Sequence, residues 1–151
     1  MKKHIVRDSD LAWEEKRVPA VTPDRRGFYK LLSGEHGLQQ FEARLTRIPP
    51  NESSTWYHAH AKIEEWFYVV SGTCHVNIEG AWAVISAGDS VATGPGEWHT
   101  FRNFGDQDCD ILMVGINDPE DRAEIAAEPS FPSEDGKPER GDAPGEGARD
   151  A

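Results

Sequence analysis

The middle of the chain is a series of short strand-like runs, and their close spacing limits the folds open to it. The runs are rich in Val, Ile, Thr and aromatic residues, and Gly, Pro, Asn or Asp residues separate them, as in EEWFYVV (64–70), AWAVIS (81–86) and CDILMVGI (109–116). Turn sequences such as IEGAW and SAGDS join neighbouring runs and indicate antiparallel hairpins. The pattern predicts an all-β sandwich or barrel, and only residues 8–17 favour a helix.

The two ends of the chain differ from this patterned middle. With 151 residues the chain has room for one domain of ordinary size. We expect an N-terminal arm at residues 1–24, a β-barrel at 25–116 and a tail at 117–151. The tail holds 11 acidic and four basic residues, so it carries seven of the 11 net negative charges. Because few apolar residues could offset the entropy of ordering this segment, we expect a disordered acidic C-terminal tail.

Charge and apolar content exclude several classes of partner. A formal net charge of -11 argues against nucleic acid and anionic membrane surfaces, because binding to either requires a basic face. No apolar run approaches the length of a membrane span. We therefore expect a soluble, cytoplasmic protein whose partner is a small molecule or a protein. Cys74 and Cys109 alternate with apolar residues, which favours buried free thiols over a disulfide.

Ionisable side chains interrupt two of the strand-like runs. His58 and His60 are separated by one residue, so on a strand they share one face, about 6.6 to 7 Å apart at the backbone. Glu64 and Glu65 follow shortly afterwards, and His99 lies in a run after a Pro-Gly turn. Three histidines and a carboxylate form a ligand set for a divalent metal ion, and either glutamate could complete it. The remaining histidines have no such companions and are interpreted as surface residues: His4, His36 and His75.

Two segments resemble the two motifs of the cupin superfamily. The first motif is Gly, five residues, His-x-His, three or four residues, Glu, six residues and Gly, and residues 58–72 read H-A-H-x4-E-x6-G. The second is Gly, five residues, Pro-x-Gly, two residues, His, three residues and Asn, and residues 88–103 read G-x5-G-P-G-x2-H-x3-N. The leading glycine of the first motif is absent, and Gly94 replaces the first proline of the second. The match covers residues 49–103 directly and, through strand spacing, most of 25–116.

This resemblance to a small single-domain cupin of the cupin 2 type implies both a fold and a cofactor. The implied fold is a double-stranded β-helix (jelly-roll) barrel, and the implied cofactor is one divalent ion, which could be Fe, Mn, Ni, Zn or Cu. The six-residue step back from Gly72 selects Glu65, and strand parity agrees, since Glu65 shares a face with Phe67. The metal ligands implied by the resemblance are therefore His58, His60, Glu65 and His99.

The resemblance leaves the reaction open. We expect an enzyme of the dioxygenase, isomerase or lyase type that acts on a small oxygenated metabolite; the alternatives are a non-catalytic metal-dependent ligand-binding or accessory protein and a metal-free structural relic. A basic residue in the cavity would favour an acidic ligand, whereas an apolar and aromatic lining would favour a phenol or polyketide. Strand parity and residue type suggest these substrate-pocket candidates: Trp56, Phe67, Phe101 and Arg44.

Aromatic residues on the opposite face of one run indicate an interface. Trp66 and Tyr68 alternate with Glu65 and Phe67, so they point away from the predicted barrel interior. Together with Trp82 they could supply apolar area for a sheet-to-sheet contact. We therefore expect a homodimer.

Overall fold

The computed structural model describes residues 2–18 and 25–131, in which the chain forms eleven strands and two short 3-10 helices. The helices are Asp8–Asp10 and Gly34–His36. The strands are β1 (Glu14–Val18), β2 (Arg25–Leu31), β3 (Phe41–Ile48), β4 (Tyr57–His60), β5 (Glu65–Ser71), β6 (Thr73–Ile78), β7 (Ala81–Ser86), β8 (Ser90–Thr93), β9 (His99–Arg102), β10 (Cys109–Ile116) and β11 (Ala123–Ala126). Within the described ranges, no helix has the length and apolar character needed to cross a lipid bilayer.

The strands assemble into two antiparallel sheets. One sheet has six strands in the order β1-β2-β3-β10-β5-β8, and the other has five in the order β11-β4-β9-β6-β7. Strands β4, β5 and β6 alternate between the sheets, and so do β7, β8, β9 and β10, so the chain winds around a common interior. This is a jelly roll, and it confirms the all-β double-stranded β-helix fold predicted from the sequence.

The core lies between the two sheets and follows the alternation of the strands. On β5, Phe67 and Val69 are buried while Trp66 and Tyr68 are exposed, which confirms the predicted strand parity. Inward residues of six strands form one apolar cluster: Ile48, Phe67, Val69, Cys74, Val76, Ile85, Phe101, Cys109 and Ile111. Both cysteines are free and buried in this cluster, as predicted.

Two residues of the sequence motifs stabilise backbone turns and are not among the ligand candidates. Gly72 has φ +82°, and a Cβ there would lie 2.3 Å from the Asp108 carbonyl oxygen, so only glycine fits the connection from β5 to β6. Asn103 is fully buried, and its Nδ2 donates to the carbonyls of Ile48 (2.8 Å) and Gln107 (2.6 Å). These contacts hold the turn after β9 against the end of β3.

The N-terminal residues belong to the larger sheet, which differs from the expected boundary at residue 25. Residues 8–17 form one turn of 3-10 helix and then β1, which pairs with β2 from Glu14↔Tyr29 to Val18↔Arg25. The expected helix was wrong because the hydrogen bonds available from β2 outweigh a weak local helix preference. Trp13 anchors the approach to β1, since its ring lies under Arg47 (4.4 Å) and Lys30 (4.9 Å).

The described part of the expected tail is also structured. Strand β11 pairs with β4, so the smaller sheet extends past residue 116. Beyond it, Arg102 pairs with Glu128 at 3.2 Å, and Trp82 Nε1 donates to the Ser130 carbonyl at 3.3 Å. Composition alone does not reveal these few contacts, because each depends on a partner far away in the chain. The expectation of disorder therefore does not hold for residues 117–131, and residues 132–151 lie outside the described ranges.

A second apolar cluster forms where this segment docks. Phe131 is 8% exposed and contacts Trp82 and Phe104, with ring centroids 5.4 and 4.6 Å away. His75 is also buried there, 5.0 Å from the Phe104 ring and 5.9 Å from the Phe131 ring. Two expectations are corrected by this cluster: Trp82 is covered within the chain rather than available to a second protomer, and His75 is not a surface residue.

Candidate metal centre

Three neighbouring strands bring four ionisable side chains to one end of the barrel interior. His58 and His60 lie on the same face of β4, and His58 is the register partner of His99 on β9. Glu65 begins β5 in the facing sheet, where it pairs with Thr93 and Gly115. Gly115 leaves room there, since a Cβ would lie 3.5 Å from Glu65 Cγ.

The donor atoms of these side chains converge on one point. Glu65 Oε2 lies 2.9 Å from His99 Nε2 and 3.2 Å from His60 Nε2. His58 Nε2 lies 3.2 Å from His60 Nε2. Ligand atoms of His58, Glu65 and His99 all lie within 4.8 Å of one another. The sequence prediction of a shared site thus corresponds to one cluster, in which Glu64 takes no part because its side chain is exposed.

The outer nitrogen of each histidine faces a hydrogen-bond acceptor. His58 Nδ1 donates to the Trp56 carbonyl (2.8 Å), His99 Nδ1 to the Glu97 carbonyl (2.9 Å) and His60 Nδ1 to Asp121 Oδ2 (2.7 Å). Because a neutral imidazole carries one proton, each Nε2 then presents a lone pair to the cluster. Three such lone pairs and a carboxylate repel one another unless a cation lies among them. The donor set therefore fits a divalent metal ion.

The electrostatics of the cluster are consistent with this need for positive charge. Burial, aided by His99, lowers the pKa of His58 to about 4, so this ring is neutral at pH 7. Hydrogen bonding to Glu65, and less strongly to Asp121, raises the pKa of His60 to about 9. Burial alone would raise the pKa of Glu65, but the contacts with His60 and His99 outweigh burial and lower the pKa to about 2. A proton on His60 thus supplies the positive charge that a metal ion would otherwise bring to the cluster.

Asp121 is a site residue that sequence reasoning missed. Its Oδ2 holds His60, and its Oδ1 accepts from the backbone N–H of Lys62 at 2.9 Å. Asp121 lies in the segment that the composition assigned to the tail, 61 residues after His60. The apolar Ile125 and Phe131 were the signal that this segment could dock, but a strand of four residues is too short to stand out.

A cavity of about 360 Å³ opens onto the four donor side chains. Trp56, Phe67, Phe101 and Arg44 all line it, and the Phe67 ring lies 5.7 Å from the His99 ring and 4.6 Å from the Phe101 ring. Further apolar wall is supplied by residues of β10 and β11 and the loop before β5: Ile111, Met113, Ile125 and Ile63. The volume suits a small molecule, and the aromatic wall limits access of water to the donor atoms.

Comparisons with known proteins agree with the fold. The family model of the cupin domain (Cupin 2) matches residues 44–115. An oxalate-binding protein of Thermotoga maritima is 33% identical over 112 residues, which cover 66% of this chain and 91% of that protein. Among solved structures, a candidate sugar phosphate isomerase from Acidithiobacillus ferrooxidans has a TM-score of 0.73 and 25% identity, with 80% of each chain covered. A predicted oxalate decarboxylase from Thermotoga maritima has a TM-score of 0.63 and 25% identity, with 74% of this chain and 97% of that one covered. The chain belongs to the cupin superfamily and carries a cupin-2 type domain.

Proposed function

We propose that this chain is a mononuclear metal protein and an enzyme that acts on a small oxygenated metabolite. The observation that carries the proposal is the convergence of three imidazole lone pairs and the Glu65 carboxylate at the end of a 360 Å³ cavity. His58, His60, Glu65 and His99 would hold one divalent ion, of Fe, Mn, Ni, Zn or Cu.

The roles of the protein groups follow from their positions. When bound, such an ion acts as a Lewis acid toward a carbonyl or carboxylate oxygen or, if it is iron, supports chemistry with dioxygen. The Trp56 and Glu97 carbonyls and Asp121 fix the tautomers of the three imidazoles. Phe67 and Phe101 exclude water and place a bound ligand beside the donor atoms. The reaction type would be that of a dioxygenase, isomerase or lyase.

A second candidate function is metal-dependent binding without turnover. It is favoured by the relative from Thermotoga maritima, which is described as an oxalate-binding protein. A carboxylate ligand could bind in the same cavity without being converted, since fold alone does not decide between binding and catalysis. The two functions differ in whether product accumulates when protein is incubated with an excess of ligand.

Metal titration tests the proposal directly. Protein stripped with a chelator is titrated calorimetrically with Mn²⁺, Zn²⁺, Ni²⁺ and Fe²⁺, the last without oxygen, and each loaded form is then incubated with small hydroxy and keto acids. We expect one ion per chain and product formation with at least one ion. One ion per chain without turnover would favour the binding function. If the protein takes up no metal even with the ions in excess, both functions are contradicted.

We also propose a cytoplasmic homodimer. Trp66 is 41% exposed and Tyr68 37% exposed, and their rings stack with centroids 5.9 Å apart on the outer face of the larger sheet. By register, Trp66 lies beside Val114 and Ala92, so the exposed aromatics belong to an apolar area. Such an area is suited to burial against a second copy. The buried free thiols of Cys74 and Cys109 are compatible with a reducing compartment.

A further inference from the structure

A lysine from β1 lines the same cavity as the metal-ligand candidates. Lys16 is half-buried, and its Nζ lies 3.5 Å from Thr55 Oγ1 and 5.4 Å from the centre of the Trp56 ring. It forms no salt bridge with a residue of the described ranges. Burial lowers the pKa of Lys16, and nearby Arg44 lowers it further, while Glu65 acts in the opposite direction. The ammonium is thus held in the cavity wall without an anionic partner, which is unfavourable unless a ligand supplies one.

Two further hydrogen-bond donor atoms of residues that line the cavity lack an acceptor within the described part of the chain. Arg44 pairs with Glu42 through Nη2, but its Nε is buried and makes no hydrogen bond within the described part of the chain. The guanidinium also lies over the Tyr29 ring, 4.8 Å from its centre, which restricts its orientation. Ser54 Oγ, another cavity-lining group, is likewise buried without a partner among the described residues. Both atoms are enclosed by protein, so Arg44 can contact a ligand only through the more accessible part of its side chain, which is 24% exposed.

The charges of the cavity wall point to the charge of that ligand. Among the lining residues, the cations Lys16 and Arg44 are balanced by the carboxylates Glu42 and Glu65. A divalent ion in the donor cluster would then leave the cavity with a surplus of two positive charges. A cavity with such a surplus attracts a ligand with two negative charges, because the low-dielectric wall strengthens the interaction.

We propose that the cavity binds a small dianion with an acidic group at each end, one at the His58, Glu65 and His99 cluster and the other on Lys16 and Arg44. The inference rests on the proposed metal function and adds the ligand class. Lys16 lies outside residues 44–115, so the family match does not supply this part of the cavity. In a dianion the acidic groups are two carboxylates; a compound with one carboxylate and one phosphate presents the same oxygen acceptors to ammonium and guanidinium groups but carries close to three negative charges at pH 7.

Paired mono- and dianions test this subsite. Metal-loaded protein is titrated by calorimetry with malonate, succinate and glutarate and with the monomethyl ester of each acid, and phosphoglycolate replaces the diacids in a separate arm. We expect each dianion that spans the cavity to bind at least about tenfold more tightly than its monoester, because a charge-assisted contact is lost with the ester. Preference for phosphoglycolate over the diacids would assign the outer group as a phosphate, and the opposite preference would assign it as a carboxylate.

Variants of β1 and β3 provide the controls. Lys16→Met and Arg44→Gln should each reduce the dianion preference about tenfold or more and leave monoester affinity within about twofold. Arg17→Met removes a cation from the neighbouring, exposed position of the same strand, where Arg17 pairs with Glu15 at 3.4 Å, and should leave both affinities unchanged. The melting temperature and metal content of every variant are measured in parallel.

The outcomes separate this subsite from the metal function. If metal-loaded Lys16→Met and Arg44→Gln both keep the dianion preference, the subsite is overturned and the metal function is retained. A protein that takes up no ion, yet loses dianion affinity in these variants, would keep the cationic subsite and overturn the metal function. Equal binding of diacids and monoesters by the wild type would also overturn the subsite.

Discussion

Asp121 ties the metal-binding end of the barrel to a segment that lies outside both sequence motifs. Its carboxylate holds His60 Nδ1 at 2.7 Å, so it fixes the ring orientation and leaves Nε2 facing Glu65. A carboxylate in this position also increases the electron density on the imidazole. Asp121 is therefore a positioning residue for His60, through which it would act on the proposed ion.

Asp121→Asn should weaken metal binding without removing a ligand. The amide can still accept a hydrogen bond from His60 but carries no charge, so we expect the dissociation constant for Zn²⁺ to rise by about 10- to 100-fold. The measurement is competition against a chromophoric chelator, with Glu120→Gln as the control, since Glu120 is the adjacent, exposed acid and pairs with Lys62. Unchanged affinity in Asp121→Asn, or an equal loss in both variants, would contradict this role.

The sequence predicted residues of the site where the chemistry depends on local spacing. The two-residue period of strands puts His58 and His60 on one face, and the resemblance to the cupin motif implies Glu65 through its interval to Gly72. The structure places their donor atoms together. Lys16 lines the cavity through the pairing of β1 with β2, and Asp121 reaches His60 next to the pairing of β11 with β4. Such long-range pairing carries no local signal, which is why single-sequence reasoning missed both residues.

At the scale of elements, the segment after β10 extends the smaller sheet and docks against the barrel. Strand β11 adds an edge to the smaller sheet, and Glu128 and Phe131 dock further along, against β9 and the second apolar cluster. Sequence patterning predicted the central strands well because they are rich in β-branched and aromatic residues, and β5 also alternates buried and exposed residues. It failed at both ends because β1 and β11 are short edge strands with polar residues, whose pairing depends on the rest of the sheet.

His75 should make the stability of this cluster depend on pH. Burial lowers the pKa of His75 to about 4, and its Nδ1 has no hydrogen-bond partner among the described residues. Between pH 6.5 and 4 the unfolded chain binds a proton that the folded chain does not bind. The contribution of His75 to the free energy of unfolding is therefore complete above pH 6.5 and is lost as the pH falls toward 4.

Urea unfolding of metal-free wild type and His75→Phe measures this effect. The charged groups nearest the cluster, Arg102 and its partner Glu128, are present in both proteins, so the difference between the two profiles isolates residue 75. We expect the wild type to lose about 2 to 3 kcal/mol more than the variant between pH 7 and 4.5. Parallel profiles would contradict this effect, because they would show that folding leaves the pKa of His75 unchanged.

At the scale of the whole molecule, the two faces of the larger sheet have different roles. The inner face carries the ligand cavity, and the outer face exposes Trp66 and Tyr68.

If the outer face forms the proposed dimer, Trp66→Glu should yield a monomer in sedimentation velocity at micromolar concentration, because a buried unpaired carboxylate is strongly unfavourable. Ile5→Glu, at an apolar residue that is 62% exposed and far along the chain, should remain a dimer. A monomeric wild type, or a dimeric Trp66→Glu variant, would contradict this assignment.

The metal content of two adjacent glutamate variants tests the central claim most directly. Glu65 faces the histidines in the interior, whereas the neighbouring Glu64 side chain is exposed, so the pair offers an internal control. Wild type, Glu64→Gln and Glu65→Gln are loaded with Zn²⁺ under identical conditions, passed through a desalting column and analysed by mass spectrometry for metal per chain. We predict near-full occupancy in the wild type and Glu64→Gln, and at least about tenfold weaker binding in Glu65→Gln, because its anionic donor is lost. Full occupancy in Glu65→Gln together with loss in Glu64→Gln would contradict the assignment of the ligands and of the strand register.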